Sequence, residues 1–282
     1  MVDLDLDVVV VAYKNEGTVR NLLHSVVRAC DGWSVRVILH DNGPDARTAE
    51  HARAVAAELG LTLVVQECDI NCGFARGCNA AVQVATAATL LFLNPDARLL
   101  HIPAQATDAL LGAVVLDEDG NQQMTYGTQR RLRDEARLRW ARRRPRVPAG
   151  TGYVSGACFM IPRGRFIGLG SFDPRYFMYY EDIDLGRRAG AARFPVRLDA
   201  NLVVVHAGGH SALQESRLRA LTASYESGRV YFEGQARAYD ALCFVDAVAR
   251  VVYWLARRRW GVAREWHRLA SHIVTGAHRP TP

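Results

Sequence analysis

Apolar runs of strand length alternate with stretches of helical period through the first hundred residues, the pattern of βαβ units built on a mainly parallel sheet. "DVVVVAY" predicts the first strand, and its unbroken valines suit burial on both faces. A helix follows from about Glu16 to Cys30, with Leu22, Leu23, Val26 and Val27 on its inner side. "VRVILHD" predicts a second strand, an alanine-rich helix runs from Asp45 to Leu59 and stops at Gly60, and "LTLVVQ" is a third strand. Beyond a loop through "NCGFARG", a helix is expected from Asn79 to Ala88 and a fourth strand at "TLLFLN".

The middle of the chain is less regular. "GAVVLDEDGNQQMTYG" predicts two short strands around a turn at Asp119 to Asn121, because Asp-Gly favours the positive backbone angles of a hairpin. Residues 129–146 then carry nine arginines against two acids. Such a block reads either as a solvated basic segment or as one that orders over an anionic ligand. "YVSGACFMIPR" and "VRLDANLVVVHAGGHS" return to strand, the second ending in a glycine and histidine loop. From about Leu213 the pattern is helical to the end, with no uncharged run of about eighteen residues that would span a membrane. The basic, aromatic, amphipathic C-terminal helices suit packing against the domain, an anionic membrane surface or a partner, a second copy of the chain included.

Composition narrows this picture modestly. At 282 residues and 49% hydrophobic content the chain can bury a sizeable core. The net charge is +6, and Lys14 is the only lysine, so the basic side chains are arginines, which favour phosphate through bidentate hydrogen bonds. Cys30, Cys68, Cys72, Cys78, Cys158 and Cys243 contain no CxxC pair and read as reduced, buried thiols of a cytoplasmic protein. The group Cys68, Cys72, Cys78 lacks the tight ligand pairs of a metal centre. "MVDLDLD" is acidic, unlike the start of a signal peptide.

The candidate chemistry collects at strand ends. In an open parallel sheet ligands bind beyond the carboxyl ends of the strands, and "AYKNE", "HDNG", "NCGFARGCN", "NPDA" and "HAGGH" all fall there. Asp41 suits either a nucleobase or ribose contact or the capping of the turn before Asp45. The loop glycines would let backbone amides approach a ligand, with Arg76 to meet phosphate. Asp96 suits a divalent ion bridging phosphates, or the turn that Asn-Pro-Asp forms alone. Of His206 and His210, separated by two glycines, one is expected to serve as a ligand. "FMYYEDIDLGRR" crowds three carboxylates: Asp182 near a helix start suits a general base, Glu181 an orienting group, and Asp184 an ion pair with Arg187 or Arg188 one turn on.

These motifs, together with "VVVVAYKNE", "NCGFARGCNAA", "LFLNPDARL", "VSGACFMIPR" and "VVVHAGGHS", resemble the family 2 glycosyltransferases, and most closely their rhamnosyltransferase-like branch, over residues 7 to 211. The resemblance implies a GT-A fold, an α/β architecture with a Rossmann-like, mainly parallel central sheet, in a catalytic domain of residues 1–211 followed by a helical region of 212–282. It implies a nucleotide-sugar donor, Mg²⁺ or Mn²⁺, and single displacement with inversion at the anomeric carbon. By that resemblance Asp41 contacts the base, Asp96 and His206 hold the metal, and Asp182 is the catalytic base beside Glu181. Ala12, Tyr13, Asn15, Glu16, Asn71, Gly73, Phe74, Arg76, Gly77, Asn79 and Asn94 are the further donor-site candidates. Ser155, Gly156 and Tyr180 face acceptor or sugar. Asn94 stands where the family's metal motif usually begins with an acid, and the segment 101–115 is shorter than the branch's.

Two other classes compete: a metal-dependent sugar nucleotidyltransferase, which would need a basic glycine-rich loop after the first strand, and a non-catalytic nucleotide-sugar-binding module. "AYKNEGT" has one lysine and one glycine. A nucleic-acid binder is disfavoured because no stacking motif accompanies the basic block. The acceptor is expected to be a glycolipid at the membrane, a small molecule, or a carrier protein holding one; the donor, dTDP-rhamnose or a UDP-hexose.

Overall fold

A computed structural model describes residues 5–123, 125–140, 152–206 and 217–276. Its centre is an eight-stranded sheet. Strands β1 (Asp5–Ala12), β2 (Ser34–Asp41), β3 (Thr62–Glu67) and β4 (Thr89–Leu93) run parallel, joined by α1 (Glu16–Ala29), α2 (Arg47–Leu59) and α3 (Phe74–Gln83). Six further strands follow: β5 (Ala97–His101), β6 (Leu110–Leu116), the two-residue β7 (Tyr126–Gly127) and β8 (Tyr153–Val154), β9 (Cys158–Pro162) and β10 (Val196–His206). The order across the large sheet is β3-β2-β1-β4-β9-β6-β10-β5, while β7 and β8 pair apart from it. β6 and β10 are mutually parallel, and β9 and β5 run antiparallel to their neighbours.

The unbroken valines of β1 serve two layers. Val8 and Val10 pack with Leu22, Leu23, Val26 and Val55 of α1 and α2, whereas Val9 and Val11 face Ala75 and Ala81 of α3 and an aromatic layer of Phe92, Phe159, Phe166 and Phe172. That second layer continues without a break into Tyr180, Tyr225, Tyr239 and Leu269. It therefore joins α4 (Leu132–Trp140), α5 (Arg163–Gly168) and α6 (Glu181–Ala191) to the C-terminal helices α7 (Arg217–Tyr231), α8 (Ala236–Ala256) and α9 (Trp260–Thr275) in one protein interior. The boundary expected at residue 211 lies outside the described residues. Among the described residues no helix is long and apolar enough to cross a membrane.

Several expectations are corrected. Helix α3 begins at Phe74, five residues before the expected Asn79, and ends at Gln83 instead of Ala88. Gly73, with φ of 86°, turns the chain so that Phe74 can start the helix while its amide donates to the Phe177 carbonyl at 2.7 Å. Beyond the helix, the Thr86 and Ala87 amides are taken by Asp7. β5 was not expected, its five residues following a strand too closely for a separate element to be legible. The second strand of the 112–127 hairpin shrinks to one bridge, Leu116 to Gln122, although the turn forms, with Asp117 accepting from the Asp119 and Asn121 amides.

The described part of the basic block matches the solvated reading only in part. Arg139 is mostly buried, 3.0 Å from Glu135 and 3.2 Å from Asp246 of α8, and Arg130 stacks over Tyr153 and Tyr180. These two arginines act as internal struts; Arg131, Arg133 and Arg137 are exposed, and 141–146 lies outside the described residues.

The sheet carries its own polar rivet. Asp7, 1% exposed, accepts from Arg36 Nε and Nη2, both at 2.8 Å, and from the amides of Thr86 and Ala87 at 2.7 and 2.8 Å. One carboxylate thus ties β1 to β2 and to the entry of β4. Removing it strands a half-buried guanidinium and two amides, so Asp7→Ala is expected to cost roughly 3–5 kcal/mol. Urea unfolding measures it; a loss under about 1 kcal/mol would mean that solvent replaces the carboxylate.

Candidate active site

A cavity of about 500 Å³ opens at the carboxyl edge of the parallel strands. Its floor follows from strand register. β10 runs antiparallel to β5 with His206 opposite Ala97, which sets the imidazole beside the Asn94-Pro95-Asp96 turn that leaves β4. His206 Nε2 stands 3.1 Å from Asp96 Oδ1 and 3.3 Å from Asn94 Nδ2, and the Gln123 side chain donates to the His206 carbonyl at 2.8 Å. Both the carboxylate and the imidazole are shielded from solvent, with side chains 3% and 14% exposed. A carboxylate oxygen, an imidazole nitrogen and an amide side chain converging on a cavity form a donor set that fits Mg²⁺ or Mn²⁺. His210 lies outside the described residues.

A further part of the lining comes from the acidic motif. Tyr179 and Tyr180 both adopt left-handed backbone, φ 74° and 67°, an uncommon choice for bulky residues that folds the chain sharply into α6. The result separates three acids within four residues into three environments. Asp184 is buried and ion-paired to Arg188 at 2.8 Å and to Arg187. Asp182 reaches the cavity, its Oδ2 accepting the Gly156 amide at 3.0 Å and its Oδ1 accepting the Ile183 amide at 2.8 Å. Glu181 also lines the cavity, 5% exposed, and its Oε2 has no hydrogen-bond partner among the described residues. Burial, reinforced by the adjacent Asp182 charge, pushes the Glu181 carboxyl well above the ordinary carboxylate range. Burial raises Asp182 as well, against the pull of the Gly156 and Ile183 amides.

The remaining candidates divide. Ala12, Tyr13, Asn15, Asn71, Gly73, Phe74, Ser155, Gly156 and Tyr180 all line the cavity. Asn15 is buried and shapes the β1 exit by accepting the Tyr13 amide at 2.8 Å. Five do not line it. Asp41 takes the capping arrangement: its two oxygens accept the Gly43 and Ala49 amides, each at 2.9 Å. Arg76 is exposed and donates to the Pro174 carbonyl; Asn79 clamps both backbone groups of Phe172; Gly77 lets α3 press onto Val11 and His40; Glu16 opens α1. Sequence reasoning missed Asn42, Arg130, Glu135 and Tyr153, which also line the cavity. Asn42 had a legible signal as the polar residue after β2, but nothing marked Arg130 among its neighbouring arginines.

The sequence matches the Glycosyl transferase family 2 profile over residues 7–169. The chain belongs to that family. The match ends before Asp182 and His206, so the geometry is what brings those two to the matched part. A 60-residue stretch is 43% identical to an N-acetylglucosaminyl-diphospho-decaprenol L-rhamnosyltransferase of Mycobacterium tuberculosis; it spans 21% of this chain and 20% of that relative. Two solved glycosyltransferases share the fold. A mannosyltransferase of Pyrobaculum calidifontis, in complex with GDP-Man and Mn²⁺, superposes with TM-score 0.58 at 14% identity over 97% of this chain and 88% of its own. GalNAc-T7 with UDP, GalNAc and Mn²⁺ superposes with TM-score 0.55 at 16% identity over 73% and 44%. The architecture is the GT-A fold with C-terminal helices added.

The family 2 site carries a stability signature. Because the folded Glu181 pKa is raised above its unfolded value, the unfolded chain binds fewer protons between the two, and stability falls as pH climbs from the ordinary carboxylate range. Glu181→Gln removes that titration. The variant is expected to gain on wild type at about pH 8 and to lose the advantage near about pH 5 in urea unfolding, whereas an equal difference at both values would contradict an uncompensated buried carboxylate.

Proposed function

We propose that the protein is an inverting, metal-dependent glycosyltransferase that moves a sugar from a nucleotide diphosphate to a hydroxyl or amine of an acceptor. The observation that carries this reading is the shared cavity: Asp182, held by two amides, and the Asp96–His206 pair border the same 500 Å³ space. Asp182 takes the acceptor proton as the nucleophile attacks. Its raised pKa makes it a stronger base than an exposed aspartate, and the Gly156 and Ile183 amides fix its orientation. Asp96 and His206 would hold the cation, which when bound supplies positive charge to the departing diphosphate. Ala12, Tyr13, Asn15, Asn42 and Asn71 border the nucleotide side, and Ser155, Gly156 and Tyr180 the sugar and acceptor side. With a base and a cation site bordering one cavity, one displacement suffices and no covalent nucleophile is needed.

The donor we favour is dTDP-rhamnose, with a UDP-hexose as the alternative, because the curated relative is a rhamnosyltransferase. The acceptor we favour is a glycolipid. Its support is a surface stripe on α8, where Phe244, Val245, Val248, Val252 and Tyr253 are exposed just before the exposed Arg257, Arg258 and Arg259. Such a face suits peripheral contact with an anionic membrane.

Calorimetry with UDP and dTDP, each with Mn²⁺ and with chelator, tests the donor side. Metal-dependent binding of one diphosphate is expected, and Asp96→Ala should weaken it. Asp182→Asn should leave that binding nearly intact and lower kcat by at least about 100-fold, the lower bound for a lost general base. Retained turnover in Asp182→Asn would remove the assigned base; no binding of either diphosphate would turn the reading towards a non-catalytic module.

A further inference from the structure

The six cysteines are all unbridged, but they are not all buried as expected: Cys68 and Cys72 are partly accessible. They meet a third ligand-bearing side chain, from β2, at a place the sequence spacing could not show. The ligand atoms of His40, Cys68 and Cys72 all lie within 4.8 Å of one another, whereas Cys78 is turned into the core of α3. We propose that these three residues form a second metal site, separate from Asp96 and His206, that binds Zn²⁺ with its fourth position open.

Three observations carry this. The separation is right: Zn–N and Zn–S bonds of about 2.0–2.1 and 2.3 Å in a tetrahedron put nitrogen and sulfur about 3.6 Å apart, and His40 Nε2 stands 3.6 Å from Cys72 Sγ. The imidazole is also pre-oriented. His40 and Gln66 are cross-strand partners, and the Gln66 amide nitrogen donates to the Ala80 carbonyl at 3.2 Å, which turns its Oε1 to His40 Nδ1 at 3.4 Å. Nδ1 therefore carries the proton and Nε2 presents its lone pair to the thiols, the arrangement that outer-shell partners give metal-binding histidines. Finally, the sulfurs are anchored from the backbone. The Cys68 amide donates to the Asp41 carbonyl at 2.9 Å, while Cys72 precedes Gly73, whose carbonyl accepts from Asn42 at 3.2 Å.

Without metal the Cys72 thiol donates to Asn42 Oδ1 at 3.1 Å. Binding forms two Zn–S bonds and one Zn–N bond and releases both thiol protons to solvent. Thiolate and imidazole ligands select a thiophilic ion over the hard cation suited to the carboxylate at Asp96. The two sites therefore differ in chemistry as well as position.

Reduced, metal-stripped full-length protein titrated with Co²⁺ tests the site, since a thiolate-bound Co²⁺ gives ligand-to-metal charge-transfer absorption that Zn²⁺ then displaces. That band is expected in the wild type and in Asp96→Ala. Cys68→Ser and Cys72→Ser should each lower affinity by at least about 100-fold, more than the 10–100-fold that loss of an outer-shell partner costs, and Gln66→Leu by about tenfold. In the unaltered protein, Zn²⁺ should also slow alkylation of Cys68 and Cys72 as read by mass spectrometry. A Co²⁺ complex without the band, a band that survives both serine variants, or alkylation of these two cysteines at the same rate with and without Zn²⁺ would overturn the proposal.

Discussion

Register between β10 and β5 is the constraint on which the cavity depends. His206 sits opposite Ala97 because a strand that enters parallel to β6 also pairs, on its other side, with a short strand running back from the Asn94-Pro95-Asp96 turn. A slip of one residue would turn the imidazole to the other face of the sheet and leave Asp96 facing a valine. The β10–β5 register shifts between Val203 and Val204, where β5 carries the extra residue. The floor of the site is thus fixed by hydrogen bonds that also hold the sheet together.

The part of the lining from α6 depends on strain. Two successive tyrosines in left-handed backbone deliver α6 so that its first turn faces the cavity, and the surrounding contacts keep them there: Tyr180 packs on Tyr231 and Phe232, and Ser227 holds the Met178 carbonyl at 2.9 Å. This is a function for the C-terminal helices that needs no membrane or partner. They cover the tyrosine turn from outside, so Glu181 and Asp182 are positioned by an interior shared between the strand-rich part and the helical part.

Legibility followed periodicity. β1 to β4 and the two helices α1 and α2 were readable because valine runs and helical spacing reflect burial directly. β5, the start of α3 and the bridge at Gln122 were not, since each is decided by a partner distant in sequence: His206 and its neighbours for β5, the Phe177 carbonyl for α3. Site residues divided in the same way. Asp182, Asp96 and His206 were identifiable as polar groups at ends of apolar runs. Asp41 carried the same signal and caps the Gly43 and Ala49 amides, because a strand-end carboxylate satisfies orphan amides as readily as it meets a ligand. His40 next to Cys68 and Cys72 was illegible, being set by the packing of α3 against β2.

The charge of the cavity bears on why a cation belongs there. Among the described residues, its lining offers one fixed positive side chain, Arg130, and that guanidinium already lies 3.4 Å from Glu135. Asp96 and Asp182 add negative charge, and Glu181 escapes adding more only to the extent that burial keeps it protonated. Arg76, the arginine expected to meet phosphate, is outside, bonded to the Pro174 carbonyl. A nucleotide diphosphate entering such a space meets net repulsion in a poorly solvated setting, where charges interact more strongly than in water. On the proposed function, a divalent ion held by Asp96 and His206 would let an acidic cleft accept an acidic ligand, reversing the sign of the field where a leaving diphosphate would gather charge and leaving Asp182 free to act as base.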